Sequence, residues 1–177
     1  MKVNFNRVAK TGLLAATMIM AAPALADHHM EEAKADHTPE GSAIFVPAPP
    51  AGKGQIVFFR PGGMGMAMGC TVNQGTADDK TKITSLGNGK YAIVLADPGK
   101  QDYWVKSEKK DALTLLVEEG ETQFVRCKIK MGLMAGRPDL SPSTAAEFVE
   151  KSDGLKPVDD EDLGEGALRA ADIKAAK

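Results

Sequence analysis

The sequence predicts an all-β domain: seven short antiparallel strands forming a sandwich or barrel, followed by one short helix. Three observations predict it. Between Gly54 and Met131, β-branched and aromatic runs recur at a spacing of roughly ten residues, with no helical period between them. The breaks are turn chemistry: Pro61-Gly62-Gly63, Gly87-Asn88-Gly89, Asp97-Pro98-Gly99 and Glu118-Glu119-Gly120-Glu121. The last run alternates cleanly. Val125, Cys127, Ile129 and Met131 share one face, opposite Phe124, Arg126, Lys128 and Lys130, so the Cys127 face is the one to bury.

The chain opens with Lys2, Arg7 and Lys10 and no acid, then an apolar run from Gly12 to Ala22, then Pro23-Ala24-Leu25-Ala26. A basic head, a short apolar stretch and an A-x-A site read as a secretory signal peptide over residues 1–26, cleaved after Ala26. The run falls short of the roughly 20 apolar residues of a spanning helix. No cysteine follows it, so we expect an exported, periplasmic protein with no membrane anchor after cleavage. Cleavage removes three basic residues, leaving 19 Lys+Arg against 24 Asp+Glu, a net charge of −5. An acidic chain without a basic stripe gives no footprint for nucleic acid, and none for anionic lipid.

Residues 27–53 read as a flexible leader ending in a spacer, Pro47-Ala48-Pro49-Pro50, that favours extended backbone. Within it Ile44-Phe45-Val46 is an apolar patch able to dock on the domain. The domain spans 54–156. Its strands are expected at 55–60, 65–73, 81–86, 91–96, 101–107, 112–117 and 123–131. A helix over about 142–153 follows, capped either by Ser141 with Pro142 at its first position or by the box Thr144…Glu147. Residues 157–177, acidic and then alanine-rich, read as a loosely held tail.

The order of signals resembles a known family. "GQIVFFRP", a glycine-rich stretch, "KITSLGNGKYAIVLADPGKQDYWV" and "LTLLVEEGETQFVRCKI" are similar to the bacterial family called domain of unknown function 2846. Its outline is a strand ending in Phe/Tyr-Arg-Pro, a glycine hairpin before a Tyr, a Pro-Gly turn, and a Gly-Glu-Thr corner before the last strand. The same outline resembles PEGA-type and transthyretin-like modules. Covering about residues 50–150, the resemblance implies a small immunoglobulin/transthyretin-like β-sandwich in the cell envelope. It brings no activity and no site residues. Many members look lipid-anchored, and this chain departs from them by lacking the anchor cysteine.

Chemistry is sparse. The three histidines, His28, His29 and His37, all lie in the leader, where an imidazole is not positioned for a nucleophile. GGMGMAMG lacks the lysine of a phosphate loop, and the paired acids Asp78-Asp79 and Glu118-Glu119 sit in turns. The sequence therefore reads as a non-enzyme without cofactor, a binding or structural module whose partner is an envelope protein or a small ligand.

Two sulfur features remain. Cys70 shares a face with Val72 and Met68, Cys127 faces inward, and both stay in an oxidising compartment, so a Cys70–Cys127 disulfide is expected. It requires Cα atoms within about 7 Å. The alternative is two buried free thiols. "PGGMGMAMGC" sets Met64, Met66 and Met68 at every second position. Thioethers select Cu(I), but alternating large and small residues is also what a packed strand produces. Cleavage after Ala26 would expose Asp27-His28-His29, whose amine, two amides and His29 imidazole suit Cu(II) or Ni(II). Copper or nickel binding by Asp27, His28, His29, Met64, Met66 and Met68 is the alternative function.

Overall fold

A computed structural model describes residues 36–63, 67–75, 80–106, 112–131 and 136–177. In chain order they form β1 (Gly54–Arg60), β2 (Cys70–Gly75), β3 (Lys80–Leu86), β4 (Lys90–Ala96), β5 (Gly99–Val105), β6 (Ala112–Val117), β7 (Thr122–Met131) and β8 (Gly136–Ser143). Helix α1 (Ala145–Ser152), strand β9 (Lys156–Pro157), a 3-10 turn (Asp160–Asp162) and helix α2 (Ala170–Ala175) complete the chain. The strands make two sheets, ordered β8-β7-β1-β4-β9 and β3-β2-β5-β6. The fold is an all-β sandwich.

Two parts of the expectation need correcting. Seven strands undercounts, because β8 and β9 lie beyond the seven runs read from turn chemistry. The sandwich is also not purely antiparallel. β1 runs parallel to β7, from Gln55 opposite Thr122 to Phe59 opposite Arg126, and β4 runs parallel to β9. Parallel neighbours need a long crossover, here the chain from Arg60 to Thr122, which builds the second sheet and lays β4 beside β1 on the way.

Every residue of β1 is buried. The reason is that the first sheet has a core on each face. Ile56 and Phe58 point between the sheets to Val72, Ile83, Tyr103, Val105, Val117 and Val125. Val57 and Phe59 point the other way, to Ile44, Val46, Ile93, Phe124, Phe148 and Leu155. Phe148 of α1 meets Phe59 and Phe124 with ring centroids 5.4 and 5.1 Å apart. The helix takes Thr144 as its N-cap, with the Thr144 hydroxyl accepting from the Glu147 amide at 3.1 Å, but the box is not closed, because the Glu147 carboxylate turns to Ser143 and Arg126. Pro142 therefore belongs to β8, not to the helix.

The leader is not a free spacer from Asp36 onward. Val46 is fully buried, the His37 amide donates to the Val46 carbonyl, and the His37 ring bonds the Thr122 hydroxyl at 2.7 Å. Buried Gln55 donates from Nε2 to the Pro47 carbonyl and the Thr122 hydroxyl, fixing the proline segment to β1 and β7. Gly54 is required here, since a Cβ would strike the Glu118 carbonyl and Val117.

The tail is not loosely held either. Lys156 and Val158 amides donate to carbonyls of Gly89 and Tyr91, beside β4. Gly164 donates to Ile83 on β3, and Leu95 and Leu168 exchange bonds with Gly166 and Ile93 along β4. Val158 is buried between the sheets, with Leu163 and Ala167 beside it, while Leu168 and Ile173 pack on the outer core. The tail thus closes the side of the sandwich where β3 and β4 would expose their edges.

Candidate functional site

The region around Cys70 is built by three strand ends. Cys70 opens β2, opposite Leu86 at the end of β3, and Cys127 lies in β7 opposite Leu140 of β8. Both face the inter-sheet core, 0% and 1% exposed. They form a disulfide across 57 residues of chain, with Cα atoms 6.7 Å apart. β2 and β7 are interior strands of opposite sheets, so the bond ties the two layers between inner strands, at the end where β2 begins.

Beside the staple sits a buried charge. Arg60, the last residue of β1, is 2% exposed, and its Nη1 donates to the carbonyls of Met68 and Leu86. Burial lowers its pKa from the ordinary arginine value, yet a guanidinium stays charged at any physiological pH. One cation therefore pins the approach to β2 and the end of β3 against β1. Its partners are backbone carbonyls, which carry no sequence signature. The only available signal is an arginine closing an otherwise apolar strand before a proline.

Of the sequence-derived metal candidates, Asp27, His28, His29, Met64 and Met66 lie outside the described residues. Met68 is half-buried, with its sulfur where a Cβ on Gly136 would strike it. Cys70, bound to Cys127, is no longer a thiolate ligand. Among the described residues no three His, Cys, Asp or Glu side chains gather as a metal set.

Two concavities flank this frame. A cleft of about 220 Å³ lies where β1 stops and β7 continues, walled by Arg60, Pro61, Gly62, Arg126, Cys127 and Lys128. It is basic. Arg126 is tied by Nη1 to Glu147 of α1, and Glu147 also accepts from the Ser143 hydroxyl. The Ser143 bond first, then Arg126, holds the Glu147 carboxyl below its usual range. The second concavity, about 370 Å³, opens between β6 and the start of β7, with Leu115, Thr122, Gln123, Phe124 and Pro142 on its walls.

Inside the sandwich, Tyr103 stacks edge-on against Phe58 at 5.2 Å. Its hydroxyl is buried without a hydrogen-bond partner among the described residues, and burial pushes its pKa up to about 12. Among the described residues no helix is long and apolar enough to cross a membrane.

No protein-family model, no curated protein and no solved structure matches the chain.

Proposed function

We propose that this chain is an exported, periplasmic, non-catalytic binding module of the bacterial cell envelope. The buried inter-sheet disulfide carries the reading. A bond of this kind persists where the compartment is oxidising and is rare where thiols are kept reduced. The basic head, apolar run and Ala24-Leu25-Ala26 site supply the export route. Kinship with the domain of unknown function 2846, and an immunoglobulin/transthyretin-like strand arrangement, belong to the same proposal. Support comes from Phe59-Arg60-Pro61 closing β1, the Asn88-Gly89 hairpin before Tyr91, and the Gly120-Glu121-Thr122 corner entering β7. A small ligand of such a module suits the cleft beside Lys128, where β1 stops and β7 continues.

Cell fractionation with thiol trapping tests this. The protein is expected in the osmotic-shock fraction, shortened to begin at Asp27, and inert to maleimide until denatured and reduced. A full-length cytoplasmic species with two reactive thiols would overturn it.

The alternative reading, a copper or nickel binder, rests on one observation: cleavage after Ala26 puts His29 third from a free amine. Titration of the mature protein with Cu(II) should give a visible d–d band that His29→Ala abolishes. No band, or one indifferent to that change, removes the reading.

A further inference from the structure

The tail meets β3 and β4 backbone to backbone. Leu163 bridges Thr84 and Ala167 bridges Val94, both antiparallel. The Gly164 amide donates to the Ile83 carbonyl at 2.8 Å and the Glu165 amide to the Lys82 carbonyl at 3.3 Å, both on β3. On β4, the Leu95 amide donates to the Gly166 carbonyl and the Leu168 amide to the Ile93 carbonyl, each at 2.8 Å. Residues 163–168 therefore pair with one strand of each sheet.

The fit is selective. A Cβ on Gly164 would lie 1.9 Å from the Lys82 carbonyl oxygen. Gly166 sits at φ +72°, and a Cβ there would lie 3.0 Å from the Leu95 carbonyl oxygen. Close approach of the backbones thus demands glycine at both positions. Leu163 and Ala167 pack on the inter-sheet core and Leu168 on the outer one. The groove between β3 and β4 accepts an extended strand and selects for Leu-Gly-x-Gly-Ala-Leu.

The strap is nonetheless lightly held. Ile83, Thr84, Ile93 and Val94 beneath it are at most 1% exposed, yet no residue from Asp159 to Lys177 is buried. Its ion pairs to the sheets, Lys90–Asp159 at 3.1 Å and Lys82–Asp162 at 3.6 Å, are partly exposed and contribute little. Thr84, opposite Leu163, keeps a buried hydroxyl with no hydrogen-bond partner, so the closed groove holds an unpaired polar group. Few buried apolar contacts and reliance on backbone bonds mark a segment that opens below the global unfolding energy.

We infer that residues 159–177 form a strap that opens as one unit while the sandwich stays folded, and that the bared groove takes an extended partner strand carrying the strap's own glycine pattern. The strap is then an autoinhibitory contact. Val158, buried in the inter-sheet core, stays behind as its tether. Main-chain bonds to Ile83 and Ile93 supply affinity for the partner, and the two glycines supply specificity. A partner binds only the open fraction, so the closed strap weakens its apparent affinity.

Native-state hydrogen exchange of the full chain tests the opening. The amides of Gly164, Leu168 and Leu95 should exchange together, on the order of a hundredfold faster than that of Phe58 in β1, with little dependence on urea. A labelled peptide of residues 159–177 tests the groove. It should bind the full chain carrying Gly164→Ala about tenfold more tightly than the unaltered chain, whose own strap competes. The same peptide carrying Gly164→Ala should not bind. In the chain, Gly164→Ala should leave the Trp104 fluorescence and the disulfide unchanged. Strap amides that exchange only together with Phe58 overturn the proposal, as does a Gly164→Ala chain that loses its whole fold. So does a peptide that binds neither chain, binds both alike, or is indifferent to its own Gly164→Ala change.

Discussion

Opening the Cys70–Cys127 bond should weaken the domain by about 4 kcal/mol. The loop between the cysteines spans 57 residues. In the chain-entropy model such a closure lowers the unfolded-state entropy by about 14 cal/mol/K, which is about 4 kcal/mol at 25 °C. A domain of this size has about 5–15 kcal/mol in all, so the reduced protein is left marginal. The site adds a second reason for a large effect. The bond joins interior strands of opposite sheets, so it ties the two layers directly through their shared core. Urea unfolding of the oxidised and reduced protein, followed by the fluorescence of the single Trp104, measures the difference. With a slope of about 1–3 kcal/mol per molar urea, the midpoint should fall by about 2 M on reduction. Cys70→Ala with Cys127→Ala should behave like the reduced chain. Midpoints that coincide would show that the closure does not restrict the unfolded chain.

Tyr103→Phe should raise stability by about 1 kcal/mol, because it removes a buried hydroxyl with no partner among the described residues. Since burial raises the phenol to about 12, its contribution is whole below pH 10. That contribution is lost by about 1.4 kcal/mol per pH unit as pH rises toward 12, a slope that Tyr103→Phe should flatten in alkaline denaturation. Glu147 has the opposite sign. Its lowered pKa stabilises the fold above the usual carboxylate value of 4.5, and that stabilisation fades as acid protonates it. Glu147→Gln should cost about 1 kcal/mol at neutral pH, and little below the folded pKa, in urea titrations at the two pH values. Val158→Ala should cost about 2 kcal/mol if the tail closes the sandwich, against nearly nothing for a loose tail, read as a thermal melt.

Turn chemistry made β1 to β7 legible, because Pro-Gly, Asn-Gly and Asp-Pro-Gly act locally, whatever the strands later pair with. β8 was hidden by Pro138 and Pro142, which argue against a strand unless it lies at an edge, and edge position is a property of the assembled sheet. The parallel pairing of β1 with β7 has no sequence signal for the same reason. In the tail, Val158, Leu163, Ala167 and Ile173 stand singly among acids and alanines, at spacings that fit neither a strand nor a helix. The long-range bonds of Gly164 and Gly166 hold it, and backbone bonds are silent in sequence. At the candidate site the contrast is sharper. Alternation along β7 placed Cys127 inward and made the disulfide readable. Arg60 beside it was not readable, because a buried cation satisfied by carbonyls of Met68 and Leu86 breaks the usual burial preference.

An exported module stapled across its two sheets is tested by the intact mass of the protein recovered from the osmotic-shock fraction. The expected chain begins at Asp27 and is two hydrogens lighter than its reduced form, with Cys70 and Cys127 in one non-reduced peptide. A chain still carrying residues 1–26, or one with both thiols free, would contradict it.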